Sequence, residues 1–142
     1  MLVSQILRSK GDTVFTISPT ETIAAVAELL NSRRVGALVV LETDRVVGIV
    51  SERDVVRAIA SGGAAALGQP VSSVMTKDVL FAQPGETVDS LLGRMTDRRI
   101  RHLPVCQKDR LMGIVSIGDL VKSKISEVEA EADGLKAYIA AS

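Results

Sequence analysis

The chain has 142 residues, 17 basic and 17 acidic side chains, 46% apolar residues and only three aromatics, Phe15, Phe81 and Tyr138. That much hydrophobicity at zero net charge excludes a disordered chain and leaves no electrostatic footprint for general nucleic-acid binding. The single Cys106 excludes an intramolecular disulfide and a cysteine-clustered zinc site, and the length suits one ordinary domain or two very small ones sharing a core.

The opening MLVSQILRSKGD has no basic lead and no small-residue cleavage site, so it does not read as a signal peptide. The longest apolar runs are strand-sized, far short of the roughly 20 residues of a membrane span. The setting expected is therefore cytoplasmic, with no membrane partner.

In chain order, residues 3–8 predict a short opening helix and 13–17 a β-rich segment. Thr22 stands near a helix start in company with Pro19 and Glu21. Ile23, Val26, Leu29 and Leu30 follow at helical spacing, and Arg33 and Arg34 put cations where the helix dipole favours them. Two apolar strands, 37–41 and 46–50, flank a short polar turn, and a second helix begins after Ser51. Residues 60–70, rich in Gly and Ala and closed by Pro70, read as a connector.

The pattern then starts again. Residues 71–76 echo 3–8, and 78–82 form a second β-rich segment. Thr87 precedes Val88, Leu91, Leu92 and Met95 at helical spacing, and a strand–turn–strand covers 103–106 and 111–115. A helix follows Ser116. Its extension is rich in Ala, Glu, Lys and Leu, with Leu120, Val121, Ile125 and Val128 on one face, then Leu135, Tyr138 and Ile139. Gly134 is expected to interrupt or weaken it. Such a tail covers the chain's own core or pairs with another subunit.

The echo is a true internal repeat. Laying Pro19 over Pro84 gives a constant offset of 65 residues, which matches Glu21 with Glu86, Thr22 with Thr87, Arg33-Arg34 with Arg98-Arg99, and Asp44-Arg45 with Asp109-Arg110. The match closes on Gly48-Ile49-Val50-Ser51 and Gly113-Ile114-Val115-Ser116, then Asp54 and Asp119. Each copy is a β-α-β-β-α unit too small to bury much core alone, so the copies should pack together. The fold class is α/β (α+β), with a helical C-terminal tail. The divisions are 1–60 for the first repeat, 61–70 for the connector, 71–125 for the second repeat and 126–142 for the tail.

The repeated Gly-Ile-Val-Ser-x-x-Asp motif carries the chemistry. Ser51 and Ser116 are well suited to N-caps, and a third-position Asp suits the helix dipole. The same geometry suits a ligand: a helix N-terminus offers amides and a hydroxyl to an anion, and the carboxylate can accept both hydroxyls of a ribose. Metal binding lacks a ligand cluster around His102, Cys106 has no visible base, and no acid, base and nucleophile set suggests an enzyme.

Two such repeats, each closed by Gly-apolar-Val-Ser-x-x-Asp, resemble a tandem CBS (cystathionine-β-synthase) domain pair, or Bateman module, of the stand-alone prokaryotic type. Arg101-His102-Leu103-Pro104-Val105 is similar to the apolar-His-Arg-Leu-Pro-Val stretch of family members, with the two basic residues exchanged. The resemblance implies pseudo-twofold packing of the repeats, two clefts between them for adenosine-containing ligands, and no attached catalytic domain or catalytic cofactor. Carried over by motif, Asp54 and Asp119 would bind ribose hydroxyls, and Ser51 and Ser116 would lie beside ribose or phosphate. Arg101 and His102, followed by Pro104, would face phosphate, and Val14 and Val79 would sandwich adenine. The first copy has Gly36-Ala37 where the second has Arg101-His102, and its Arg53 is expected either as a compensating phosphate contact or as a surface arginine paired with Glu or Asp. The function implied is a sensor of AMP, ATP or NAD that acts as a homodimer on a regulated protein. The alternatives are a structural or oligomerisation module without ligand and a sensor of S-adenosylmethionine.

Overall fold

The computed structural model describes residues 1–11 and 13–142, which fall into two compact units. One comprises Met1–Thr13 with Leu80–Ser142 and the other Val14–Val79.

The unit Val14–Val79 is built on a three-stranded sheet in the order β1-β2-β3, with β1 Thr16–Ile17, β2 Ala37–Glu42 and β3 Arg45–Ser51. β1 runs parallel to β2, and β2 and β3 form an antiparallel hairpin whose Thr43 and Asp44 take the left-handed conformations of a tight two-residue loop. Helix α2, Ile23–Arg33, starts at Thr22, whose Oγ1 accepts the Ala25 N–H at 3.2 Å. It buries Ile23, Val26 and Leu30 against Leu38, Val40 and Val50, the face its spacing predicts. α3, Glu52–Gly62, follows β3 without a loop. Much of the expected connector is ordered: Gly63–Gly68 is a 3₁₀ helix with Ala66 buried, and Val71–Ser73 is another. The echo of the opening helix is thus a single 3₁₀ turn, and Val71 is fully enclosed in this unit's core.

The other unit repeats the plan with one strand fewer. α4, Val88–Arg98, is capped by Thr87, and β4, His102–Gln107, and β5, Arg110–Ser116, form the hairpin. The β-rich segment expected at 78–82 is reduced to one bridge, Ala82 to Val105. The repeat explains why. Val39 donates its N–H to Phe15 O at 3.2 Å and so helps hold β1, whereas its counterpart is Pro104, which has no N–H to give. Ala82 instead donates to Pro104 O and accepts from Cys106 N–H, both at 2.9 Å.

The opening helix α1, Val3–Lys10, belongs to this second unit. Val3 N–H donates to Glu86 O at 2.9 Å and Ser4 N–H to Pro84 O at 3.0 Å. Val3, Ile6 and Leu7 join Val88, Leu91, Met95, Leu103, Val115 and Leu120 in one core. The segment 69–73 plays the corresponding part in the other unit, where Val71 N–H donates to Glu21 O at 2.8 Å and Ser72 N–H to Pro19 O at 3.0 Å. The unit Leu80–Ser142 therefore takes its opening segment from before the first repeat, whereas the unit Val14–Val79 takes the corresponding segment from its own C-terminal stretch.

α5, Ile117–Ala141, is a single helix of 25 residues. Gly134 does not interrupt it, because a lone glycine costs only about 1 kcal/mol in a helix interior and its neighbours are good helix formers. Among the described residues no helix is long and apolar enough to cross a membrane.

Candidate functional site

Each Ser-x-x-Asp motif sits where a buried hairpin strand turns directly into a helix. At the β3–α3 junction Asp54 Oδ2 accepts Ser51 N–H at 2.8 Å and Ser51 Oγ–H at 3.1 Å. At the β5–α5 junction Asp119 Oδ2 accepts Ser116 N–H at 2.9 Å, while Ser116 Oγ accepts Asp119 N–H at 3.1 Å. Ser116 thus caps its helix through its hydroxyl as expected, whereas Ser51 stands at the N-cap position but its hydroxyl donates to Asp54 instead of accepting a helix amide. The first amide of each helix is also engaged: Glu52 N–H donates to Gly36 O at 3.0 Å and Ile117 N–H to Arg101 O at 2.7 Å. The hydrogen bonds to both carboxylates fall on Oδ2.

The motif's glycine has a task that spacing alone does not assign. A Cβ on Gly48 would stand 2.6 Å from Met75 Sδ and 3.0 Å from Thr76 O, and one on Gly113 would stand 2.7 Å from Leu7 Cδ2. At Gly48 a backbone oxygen stands in the way of a side chain, whereas at Gly113 only the flexible end of Leu7 does.

The two junctions differ in charge. At Ser116–Asp119, Lys10 Nζ reaches Asp119 Oδ2 at 2.7 Å and Ile114 O at 2.9 Å. Partial burial raises the Asp119 carboxyl, but the Lys10 ammonium and the Ser116 N–H outweigh it and hold the group below its ordinary 3.8. Among the described residues Asp54 has no ion pair; beside it the backbone of Thr76 occupies Ile49 instead, Ile49 N–H to Thr76 O at 3.1 Å and the reverse at 2.9 Å. Sequence reasoning missed Lys10. The available signal was a break in the echo: laid over residues 71–76, the opening segment puts Lys10 opposite Asp78.

The lysine pair has a pH signature. Because Asp119 is depressed in the folded protein, it contributes stability in full above its unfolded value near 3.8 and loses it as pH falls through the lower folded value. Lys10→Met is therefore expected to cost about 1 kcal/mol at neutral pH, since the pair is partly exposed. The deficit should shrink below pH 3.8, as read by urea unfolding of both proteins across that range. A deficit independent of pH would contradict the pairing.

The other candidates are placed as follows. His102 opens β4 directly opposite Ser116 in the hairpin register, and Arg101 precedes it, exposed, so the basic pair, Ser116, Asp119 and Lys10 gather at one end of the hairpin. In the other unit Ala37 stands opposite Ser51, and Arg53 is exposed on the first turn of α3. Pro104 is buried within β4 with its carbonyl spent on Ala82. Val14 and Val79 are half-buried and both fall in the unit Val14–Val79, so Val79 lies in a different unit from Ser116 and Asp119. An open groove of about 500 Å³ in that unit is lined by Leu30, Asn31, Arg34, Val35, Glu52 and Val55, and it includes neither Ser51 nor Asp54.

Burial, and secondarily the Asp109 carboxylate, raises the Cys106 thiol, which keeps it protonated. Among the described residues no group of three or more His, Cys, Asp or Glu is placed to hold a metal ion.

The CBS domain model matches this chain twice, over residues 3–61 and 71–126. The chain is similar to the CBS-domain protein ATU1752 from Agrobacterium tumefaciens, with 45% identity, a TM-score of 0.85 and coverage of 87% of this chain and 99% of that one. It is also similar to the CBS domain protein PAE2072 from Pyrobaculum aerophilum, solved in complex with AMP, at 29% identity, TM-score 0.74 and coverage of 84% and 89%. The CBS domain pair of protein MJ0100, solved with 5′-methylthioadenosine and S-adenosyl-L-methionine, matches at 25% identity, TM-score 0.77 and coverage of 86% and 98%.

Proposed function

The chain belongs to the CBS domain family, and from that premise we propose that it is a non-enzymatic sensor of adenosine-containing ligands. The observation that carries this reading is the pair of Ser-x-x-Asp junctions. In each, a half-buried carboxylate is anchored through Oδ2 by its serine at the head of a helix, and a carboxylate held in that way suits a vicinal diol. Asp54 and Asp119 take the ribose hydroxyls, and Ser51 and Ser116 lie next to ribose or phosphate. Arg101 and His102 in one unit and Arg53 in the other supply charge for phosphate. Val14 and Val79 contribute aliphatic surface for adenine, in a chain with only three aromatic rings.

AMP, ATP and NAD share the adenosine half and add phosphate, which the local cations favour. The AMP complex of the Pyrobaculum relative supports the mononucleotide. S-adenosylmethionine is the second reading, supported by the MJ0100 complex; it uses the same carboxylates but carries a sulfonium and an amino acid in place of phosphate. Output follows if ligand favours one of two arrangements of the protein and so shifts their populations, read by a partner protein.

A thermal-shift panel tests the class of ligand. A compound that binds only the folded state at a hundred times its Kd stabilises by about 2.7 kcal/mol, a rise of several degrees for a chain of this size. AMP, ATP or NAD is expected to raise Tm more than adenine or ribose alone. No rise with any adenosyl compound would leave a structural module in its place.

A further inference from the structure

Beyond Lys124, α5 leaves the core. Ile125 is 53% exposed, Val128 50%, Leu135 59% and Ile139 64%, although the helix continues to Ala141. These residues do not follow the 3.6-residue period of a helix lying on a globular core. Val121, Ile125, Val128, Ala132, Leu135 and Ile139 are spaced four, three, four, three and four apart, the 3.5-residue repeat of a coiled-coil seam. The stripe stands about a quarter-turn around the helix from Leu120 and Lys124, which face the chain's own core and α4, so the seam is available to another helix.

We propose that this stripe is a homodimer seam, in which α5 of two copies of the chain pair parallel and in register. The spacing fixes the heptad, with Ile125, Ala132 and Ile139 at a and Val121, Val128 and Leu135 at d. Ile125 and Ile139 at a with Leu135 at d match the pattern that favours two parallel strands, while Ala132 at a and Val121 and Val128 at d do not, so the orientation rests on the charges.

The flanking charges choose the orientation. In the parallel pair each g residue meets the e residue five positions on in its partner. Lys124 then faces Glu129 of the second copy, and Glu131 faces Lys136, each contact made twice by symmetry. The antiparallel register that buries the same stripe sets Val121 against Ile139 and Ile125 against Leu135. It brings Lys122 to Lys136, Glu129 to Glu129 and Glu131 to Glu131, all like charges. Lys124 also pairs with Asp89 of its own chain at 3.0 Å, so the Glu131–Lys136 contact does more to fix the register.

Sedimentation of the full chain at tens of micromolar tests the seam. The expected mass is twice 15.0 kDa. Leu135→Asp with Ile139→Asp touches no core residue, so the variant should keep its circular dichroism while dimerisation weakens by at least about tenfold. Orientation is read by Ala132→Cys in a Cys106→Ser background. Parallel helices place this a position beside its own copy and should yield an oxidised covalent dimer, whereas antiparallel helices place it beside Val128. A monomeric wild-type protein, a dimer indifferent to the double aspartate variant, or a seam-dependent dimer that fails to cross-link would each overturn the proposal.

Discussion

Converting Asp54 and Asp119 together to alanine is expected to weaken AMP binding at least about a hundredfold while leaving the chain folded. A carboxylate that accepts a ribose diol makes charge-assisted hydrogen bonds of about 1.5–3 kcal/mol each, so its loss removes most of the affinity at that site. Both must change because each unit carries its own junction. The folding cost is smaller. Each aspartate also accepts its serine's N–H, and losing a cap partner costs about 1 kcal/mol. Asparagine separates the two roles, since it still accepts the serine amide but is neutral. Asp54→Asn with Asp119→Asn should therefore restore stability more fully than affinity. Equal recovery of both would make the carboxylates structural caps alone.

The largest effect on stability is expected at Gly48. Its added Cβ would meet Met75 Sδ at 2.6 Å, Met75 Cγ at 2.9 Å and the Thr76 carbonyl at 3.0 Å. The methionine can swing away, but Thr76 O accepts the Ile49 N–H, so moving it breaks a backbone bridge. Gly48→Ala should cost about 2–3 kcal/mol. Gly113 offers a matched comparison within the same motif. There the obstruction is the methyl end of Leu7, with no backbone atom in the way, and Gly113→Ala should cost about 1 kcal/mol. Urea unfolding of the two variants checks the order; equal costs would mean that both segments yield alike.

Much of this architecture was legible because it is written twice. Thr22 and Thr87 cap helices, the Asp44 and Asp109 turns close hairpins, and Ser51 and Ser116 begin helices where the repeat places them. What stayed hidden depends on which segment packs where. The opening helix reads as the start of the first repeat, yet its Val3, Ile6 and Leu7 complete the core around Leu91 and Leu103. Periodicity finds an apolar face but does not say which surface it meets. Pro104 is the local exception that removes a strand: one missing N–H in the second copy reduces a paired strand to a single bridge.

The same holds at the junctions. The motif made the carboxylates and the serines candidates, since capping and ligand binding require the same residue types at the same spacing. Lys10 lies 109 positions from Asp119, in no motif, and only the fold brings its ammonium to 2.7 Å. The consequence is chemical asymmetry. Both carboxylates accept their serine's N–H, but among the described residues only Asp119 is also paired with a lysine.

Calorimetric titration of the full chain with AMP tests the central claim most directly. The expected result is saturable binding that disappears when Asp54 and Asp119 are both alanine, with ATP or NAD competing for the same sites. Absence of binding by AMP, ATP, NAD and S-adenosylmethionine alike, in protein shown to be folded, would contradict it.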